Sequence, residues 1–145
     1  MRFTYTAMDD PPGSLTSTLA LRHHGLAMLL HHEGRSRSVV GLVDSGSAVN
    51  LLPYSLGLAL GATWDEAAPA LPLAGSFARF QAHGLLVAAS HPQLTADRPL
   101  WLAFAWTQRD DVPPIFGQMN FFLEFDVCFF RSLGQFDVRR KGEAS

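Results

Sequence analysis

The sequence predicts an all-β protein with one or two short helices. Two apolar runs, Leu26 to Leu30 and Val39 to Val43, flank the turn-forming residues Glu33 to Ser36, which is the pattern of a β-hairpin. A further apolar run of strand length extends from Leu100 to Trp106. With 145 residues, the chain is long enough to form one domain with a sizeable core.

We expect this domain to lie between two terminal segments. Residues 1–14 contain a short β-like stretch and the breaker Asp9-Asp10-Pro11-Pro12-Gly13, and they are expected to form an N-terminal arm outside the core, able to pair with an edge strand. Residues 15–138 are expected to form the domain itself. Residues 139–145 begin with Arg139-Arg140-Lys141 and are expected to form a solvated basic tail.

Turn and cap residues place the remaining elements. A short helix is predicted from Tyr54 to Leu60, closed by Gly61, because glycine best tolerates the left-handed backbone that ends many helices. A second short helix is predicted from Met119 to Phe125. Hairpins are predicted over residues 73–87 and 127–138, each containing a glycine where the chain can turn.

Composition restricts the possible partners. Charged residues make up only 17% of the chain, which indicates extensive burial or a sizeable subunit interface. The net charge of −2 favours neither nucleic acid nor an anionic membrane surface as a partner. One cysteine, Cys128, excludes an intrachain disulfide, and we expect it to be a buried thiol. The chain has no apolar run long enough to span a bilayer and lacks an N-terminal signal core, so we expect a soluble cytoplasmic protein.

The most informative segment joins Val39–Val43 to Asp44-Ser45-Gly46-Ser47. An apolar run ends abruptly in a carboxylate and two turn-forming residues, and the chain then becomes apolar again through Leu51-Leu52-Pro53. This pattern predicts a buried strand that delivers Asp44 into a tight turn at the bottom of a cleft. The carboxylate is then accessible to a substrate or a water molecule, while the strand that carries it is buried.

A second segment, Pro114-Ile115-Phe116-Gly117-Gln118, follows about seventy residues later and leads into an apolar, helix-compatible stretch. Together the two segments resemble the retropepsin-like aspartic proteases, in the form of a bacterial-type member with a single motif. The resemblance covers roughly residues 20–138 and implies a closed-barrel-like acid protease fold. It departs from the usual pattern at Asn120, where many bacterial relatives have aspartate, and at Phe116, where leucine is commoner.

The resemblance implies a homodimeric aspartic endopeptidase that acts on polypeptides. Carboxylate-based peptide hydrolysis needs two carboxyl groups that share one proton, and the motif occurs once here, so a two-fold axis must pair Asp44 with its symmetry mate. Gly46 allows the sharp turn, and the Ser45 hydroxyl is expected to bond across the dimer axis. A hydroxyl at Ser47 could donate to the outer carboxylate oxygen and favour its ionised form, which gives Ser47 a pKa-tuning role.

The same resemblance assigns supporting roles to two other segments. Ile115, Phe116 and Gly117 correspond to the strand that runs beneath the catalytic loop. Gly75, Ser76 and Phe77 correspond in position to the flap, a hairpin that closes over the substrate. Neither a metal nor an organic cofactor is implied, and neither nucleic acid nor a membrane is expected as a partner.

The same residues allow other interpretations, which the sequence supports to different degrees. Asp44 could be a structural aspartate that caps a turn. Serine catalysis at Ser45 is disfavoured, because the chymotrypsin-type loop needs glycines where this chain has Val43 and Ser47, and Ser45 does not lie in a Gly-x-Ser-x-Gly elbow. The pairs His23-His24 and His31-His32 are poor chelators, because adjacent side chains of a strand point to opposite faces. The domain could also be a catalytically silent dimerisation or peptide-binding module, or a processing enzyme that cuts only one partner.

Overall fold

A computed structural model of the protein describes residues 1–6 and 23–142. The strands are β1 (Arg2–Thr4), β2 (Gly25–His32), β3 (Arg35–Val43), β4 (Asn50–Leu52), β5 (Ala82–Ser90), β6 (Leu100–Thr107), β7 (Ile115–Phe116), β8 (Phe125–Phe130) and β9 (Gln135–Arg140). The α-helices are α1 (Tyr54–Ala59) and α2 (Phe121–Glu124), and short 3-10 turns occupy Gly75–Phe77 and Arg131–Leu133. Within the described ranges, no helix has the length and apolar character needed to cross a bilayer.

Six strands close into a barrel in the order β2-β3-β7-β4-β6-β5, so the predicted all-β, closed-barrel class with short helices is confirmed. Strands β2 and β3 form the predicted hairpin, whose turn uses positive φ angles of 46° at Glu33 and 79° at Gly34. Short β7 lies between β3 and β4, parallel to the first and antiparallel to the second. The two strands that the Asp44 loop connects are therefore separated by a strand from much later in the chain.

The barrel interior holds the main core. Its fully buried side chains include Leu26, Leu30, Val43, Leu102 and Phe116. A Cβ atom at Gly41 would lie 2.5 Å from the Phe116 ring, so glycine at position 41 makes room for this bulky side chain. The hydrophobic effect and close packing together make this interior the principal source of stability.

A smaller apolar cluster lies on the outer side of β4, β6 and β7. Leu51, Ala82, Ala105 and Ile115 are buried there, and half-buried Phe77 packs against them. The segment from Leu71 to Ala82 is closed at its base by a 2.8 Å hydrogen bond from the Leu71 N–H to the Ala82 carbonyl. We call residues 71–82 the covering loop, because it shields this outer cluster.

The chain termini form a three-stranded sheet in the order β1-β9-β8. Residues 2–4 of the expected arm pair with β9, and Tyr5 is only 5% exposed within the main core, while residues 7–14 lie outside the described ranges. The expected tail boundary at residue 139 is corrected, since Arg139 and Arg140 belong to β9 and Arg140 is 3% exposed. The expected burial of Cys128 is wrong, because this thiol is exposed on β8.

Local signals predicted the other elements unevenly. Helix α1 and the left-handed Gly61 (φ 82°) agree with the prediction, and Gly134 (φ 60°) turns the β8–β9 hairpin. Helix α2 is shorter than predicted at both ends: it begins at Phe121 instead of Met119, and Phe125 already belongs to β8. The predicted 73–87 hairpin is corrected: only β5 forms there, and the preceding residues belong to the covering loop.

Candidate active site

Asp44 lies where β3 ends, immediately after fully buried Val43, and is itself half-buried. Its backbone N–H donates to the Phe116 carbonyl at 3.0 Å, which ties the residue to β7. Its carboxylate oxygen Oδ1 accepts the N–H of Gly46 at 2.9 Å, and its carbonyl accepts the N–H of Ser47 at 3.2 Å. The carboxylate is thus held in a tight turn, as the sequence predicted.

Ser45 and Gly46 form the exposed tip of the turn. A Cβ atom at Gly46 would lie 3.2 Å from the Asp44 carboxylate oxygen, a contact tighter than side chains normally accept. Glycine therefore lets the backbone N–H approach the carboxylate closely. This donor is a fixed dipole that favours a negative charge on Asp44.

Ser47 is buried, and its hydroxyl donates to the Val49 carbonyl at 2.8 Å. A serine hydroxyl carries one proton, so it does not also donate to Asp44 in this arrangement. The expected bond from Ser47 to the carboxylate is therefore corrected: the hydroxyl closes the loop behind Asp44 and does not tune it directly.

The loop from Asp44 to Val49 rests on the chain that follows β7. The N–H of Gln118 donates to the Ser47 carbonyl at 2.8 Å, and the N–H of Met119 donates to the Ala48 carbonyl at 2.9 Å. A Cβ atom at Gly117 would overlap the Val49 carbonyl and lie 2.8 Å from that of Ser47. Only glycine allows the two backbones to approach this closely.

Two amide side chains fix the strands beneath the loop. Fully buried Asn50 accepts the N–H of Gly117 at 2.8 Å and donates to the Asn120 Oδ1 at 3.0 Å. Asn120 also accepts the N–H of Ala103 at 3.0 Å and donates to the Trp101 carbonyl at 2.8 Å. The pair joins β4, β6 and the end of β7, because every polar atom finds a partner on another element.

Sequence reasoning assigned no role to Asn50 or Gln118. Asn50 is a polar residue inside the apolar run Val49 to Leu52, and such a residue often marks a buried hydrogen-bond network. Gln118 directly follows Gly117, and its Nε2 donates to the Ser45 carbonyl at 2.8 Å. Its signal in the sequence was only its position next to a motif glycine.

His24 lies beside the Asp44 loop. Its carbonyl accepts the N–H of Val43 at 3.0 Å, and its ring contacts that of Phe129 with centroids 4.8 Å apart. Burial lowers the pKa of His24, and attraction to the Asp44 carboxylate opposes that shift in part. The charges of His23 and Arg131 add to the lowering.

The expected flap residues lie in the covering loop. Gly75, Ser76 and Phe77 form a 3-10 turn, and Gly75 has φ 65° with open space around it. The Phe77 ring is half-buried and packs against the cluster that contains Ile115, one residue before Phe116. The structure thus anchors this segment near the strand beneath the Asp44 loop, although it is not a hairpin.

The arrangement presents one carboxylate on a rigid, glycine-containing turn. Such a group can accept a proton from a bound water or donate one to it, but it needs a second carboxyl group to hydrolyse an amide. In the described part of the chain, no group of three or more His, Cys, Asp or Glu side chains is placed to hold a metal ion. No protein-family model matches the chain, and no curated protein matches its sequence.

Proposed function

We propose that this protein is a retropepsin-like aspartic endopeptidase that works as a homodimer. The observation that carries the proposal is the insertion of β7 between β3 and β4, with its terminal Gly117 pressed against the loop that follows Asp44. This is the arrangement that the resemblance implies, with a glycine-terminated strand beneath a loop that presents a carboxylate. The Asp44 loop and β7 are distant in the sequence, and their contact in the fold supports the proposal.

In the proposed mechanism, Asp44 and its symmetry mate share one proton. Two carboxyl groups a few ångströms apart cannot both ionise comfortably, so one stays neutral. The ionised group takes a proton from a bridging water, and the resulting hydroxide attacks the scissile carbonyl carbon while the neutral group donates its proton to the carbonyl oxygen. The first carboxyl group, now protonated, donates its proton to the amide nitrogen as the C–N bond breaks, and the other carboxylate takes a hydroxyl proton from the tetrahedral intermediate. The products are a carboxylic acid and an amine, and the dyad again holds one proton. The Gly46 N–H supports the ionised form through its 2.9 Å hydrogen bond.

Exposed apolar side chains on the segment that follows β7 support the dimer. Met119, whose N–H binds the Ala48 carbonyl, is 58% exposed, and Leu123 on α2 is 61% exposed. A second copy related by a two-fold axis through the Asp44 loops would cover such side chains and bring in the missing carboxylate. The low charge fraction of the chain, 17%, fits the same requirement for a covered surface.

The covering loop is the proposed substrate cover. Its base is fixed by the Leu71–Ala82 hydrogen bond and its middle by Phe77, whereas a Cβ atom at Gly75, in its outer part, would have no neighbour within 4 Å. The part around Gly75, which lies between the anchored residues Leu73 and Phe77, can therefore change its position over a bound peptide with little loss of packing.

The decisive experiment compares cleavage of a diverse peptide library by the wild type and by Asp44→Asn between pH 3 and 7. Asp65→Asn is the matched control, because the Asp65 Oδ1 accepts the N–H of Ala67 at 2.9 Å in the same two-residue geometry, outside the Asp44 loop. Cleavage that disappears in Asp44→Asn and persists in Asp65→Asn supports the proposal. Cleavage that persists in Asp44→Asn refutes it. Silence of the folded wild type favours the catalytically silent module.

Mixing the two chains tests the shared site directly. If subunits exchange freely, a nine-fold excess of Asp44→Asn leaves about a tenth of the wild-type chains paired with one another, and wild-type activity should fall to about a tenth. The same excess of Asp65→Asn should raise activity, since its pairs are complete. Activity that is indifferent to the Asp44→Asn chain would show that one subunit suffices.

A further inference from the structure

One peptide unit of the Asp44 loop is held from both sides. The carbonyl oxygen of Ser45 accepts Nε2 of Gln118 at 2.8 Å, and the N–H of Gly46 donates to the Asp44 Oδ1 at 2.9 Å. Both groups belong to the single peptide plane between Ser45 and Gly46. The side chain of Gln118 and the carboxylate of Asp44 therefore bind opposite ends of one dipole.

The geometry of a trans peptide couples these two bonds. Its C=O and N–H point in opposite directions within one rigid plane, so fixing the direction of the oxygen also fixes that of the hydrogen. Without a donor on the Ser45 oxygen, the exposed peptide could rotate about its flanking dihedral angles. Rotation would withdraw the N–H from the carboxylate and turn the carbonyl dipole toward it, which disfavours a negative charge there.

Gln118 is well placed to hold this dipole. Its own N–H donates to the Ser47 carbonyl at 2.8 Å, and it follows Gly117, which is locked against the loop backbone. The main chain of Gln118 is thus fixed relative to the loop, and only its exposed side chain spans the distance to Ser45. A short side chain could not do this, and a carboxylate in its place would repel the carbonyl oxygen.

We propose that Gln118 is a positioning residue that orients the Ser45–Gly46 peptide so that its N–H supports the ionised Asp44. The catalytic meaning of this role rests on the proposed function, but the orientation itself does not. Gln118 does not touch the reacting atoms and acts only through the peptide it holds.

The test uses two substitutions and one control in the full chain. Gln118→Met keeps the length of the side chain and removes the donor, whereas Gln118→Lys keeps a donor. Gln108→Met is the control, because the Gln108 Nε2 donates to the Glu66 Oε1 at 3.3 Å and not to the Asp44 loop. The first readout is the Gly46 amide in a nitrogen–proton NMR spectrum, through its proton shift and its hydrogen-exchange rate. The second is the pH dependence of kcat/KM.

In Gln118→Met we expect the Gly46 amide proton to move upfield and to exchange about fivefold faster, as for the loss of one hydrogen bond. The acidic limb of kcat/KM should move to higher pH, and Gln118→Lys should restore the proton shift and the exchange rate of the Gly46 amide. A Gly46 amide that is unchanged in Gln118→Met, or a lysine that fails to restore it, overturns the proposal. An inactive wild type would refute the proposed function. The NMR measurement needs no turnover, so it would still decide whether Gln118 orients the Ser45–Gly46 peptide.

Discussion

Replacement of Gly117 by alanine should destabilise the protein severely, because the new methyl group meets backbone atoms. It would overlap the Val49 carbonyl and lie 2.8 Å from the Ser47 carbonyl, and neither oxygen belongs to a flexible side chain. Relief requires the two segments to separate by roughly 1 Å, given ordinary carbon–oxygen contact distances. That movement stretches the bonds from Gly117 to Asn50 (2.8 Å) and from Gln118 to Ser47 (2.8 Å).

The expected cost follows from these contacts. Loss of two hydrogen bonds, one of them to a buried amide, accounts for about 2–3 kcal/mol, and overpacking adds about 1–2 kcal/mol. The sum of about 3–5 kcal/mol is a large part of the roughly 5–15 kcal/mol that separates typical folded and unfolded domains. In urea, with a slope of about 2 kcal/mol/M, the unfolding midpoint should fall by about 2 M.

Equilibrium urea unfolding followed by tryptophan fluorescence measures this shift, and Gly84→Ala is the matched control. A Cβ atom at Gly84 in β5 would meet only a Leu71 methyl group at 3.7 Å, an ordinary contact. Alanine there should be neutral or stabilising by up to about 1 kcal/mol, because glycine is costly within a strand. If both variants unfold at the same urea concentration, the reasoning from the close approach of Gly117 to the loop is wrong.

Two further predictions concern the surroundings of the site. Asn120→Asp should lower the free energy of unfolding by about 2–3 kcal/mol at pH 7, because a carboxylate oxygen then faces the Trp101 carbonyl in place of the amide that now donates to it at 2.8 Å. Urea unfolding at pH 4 should show a smaller loss, since a protonated carboxyl group can still donate a hydrogen bond. Burial lowers the pKa of His24, so its contribution to stability is present above about pH 6.5 and is lost as the pH falls through its lower folded value. His24→Phe should therefore show a shallower loss of stability between pH 7 and 5 than the wild type, and parallel curves would contradict this reasoning.

Much of the fold could be predicted from local patterns. The β2–β3 hairpin, α1 with Gly61 and the turn at Gly134 each depend on residues close together in the chain. The tight turn at Asp44 is also local, since the Asp44–Gly46 bond spans two residues. Such features follow from backbone propensities and hydrophobic periodicity, which the sequence displays directly.

Other expectations failed because they depended on how each segment packs in the folded chain, which local sequence does not show. The Ser47 hydroxyl was expected to donate to Asp44, but the conformation of the loop directs it to the Val49 carbonyl. Cys128 lies in an apolar run, yet the edge position of β8 in the terminal sheet exposes it. The 73–87 segment has the composition of two strands, but β5 finds its partners in β2 and β6 and leaves residues 73–81 outside the sheets.

The sequence by itself determined that the chain is a β-rich domain and that one carboxylate, Asp44, sits on a turn between apolar strands. Tertiary structure alone decided what surrounds that carboxylate. The Gly117–Asn50 bond spans 67 residues and the Gln118–Ser45 bond spans 73, so both exist only once β7 has entered the barrel between β3 and β4. Hydrogen-bond partners so far apart are set by strand order and register, which depend on the packing of the whole barrel rather than on any local pattern.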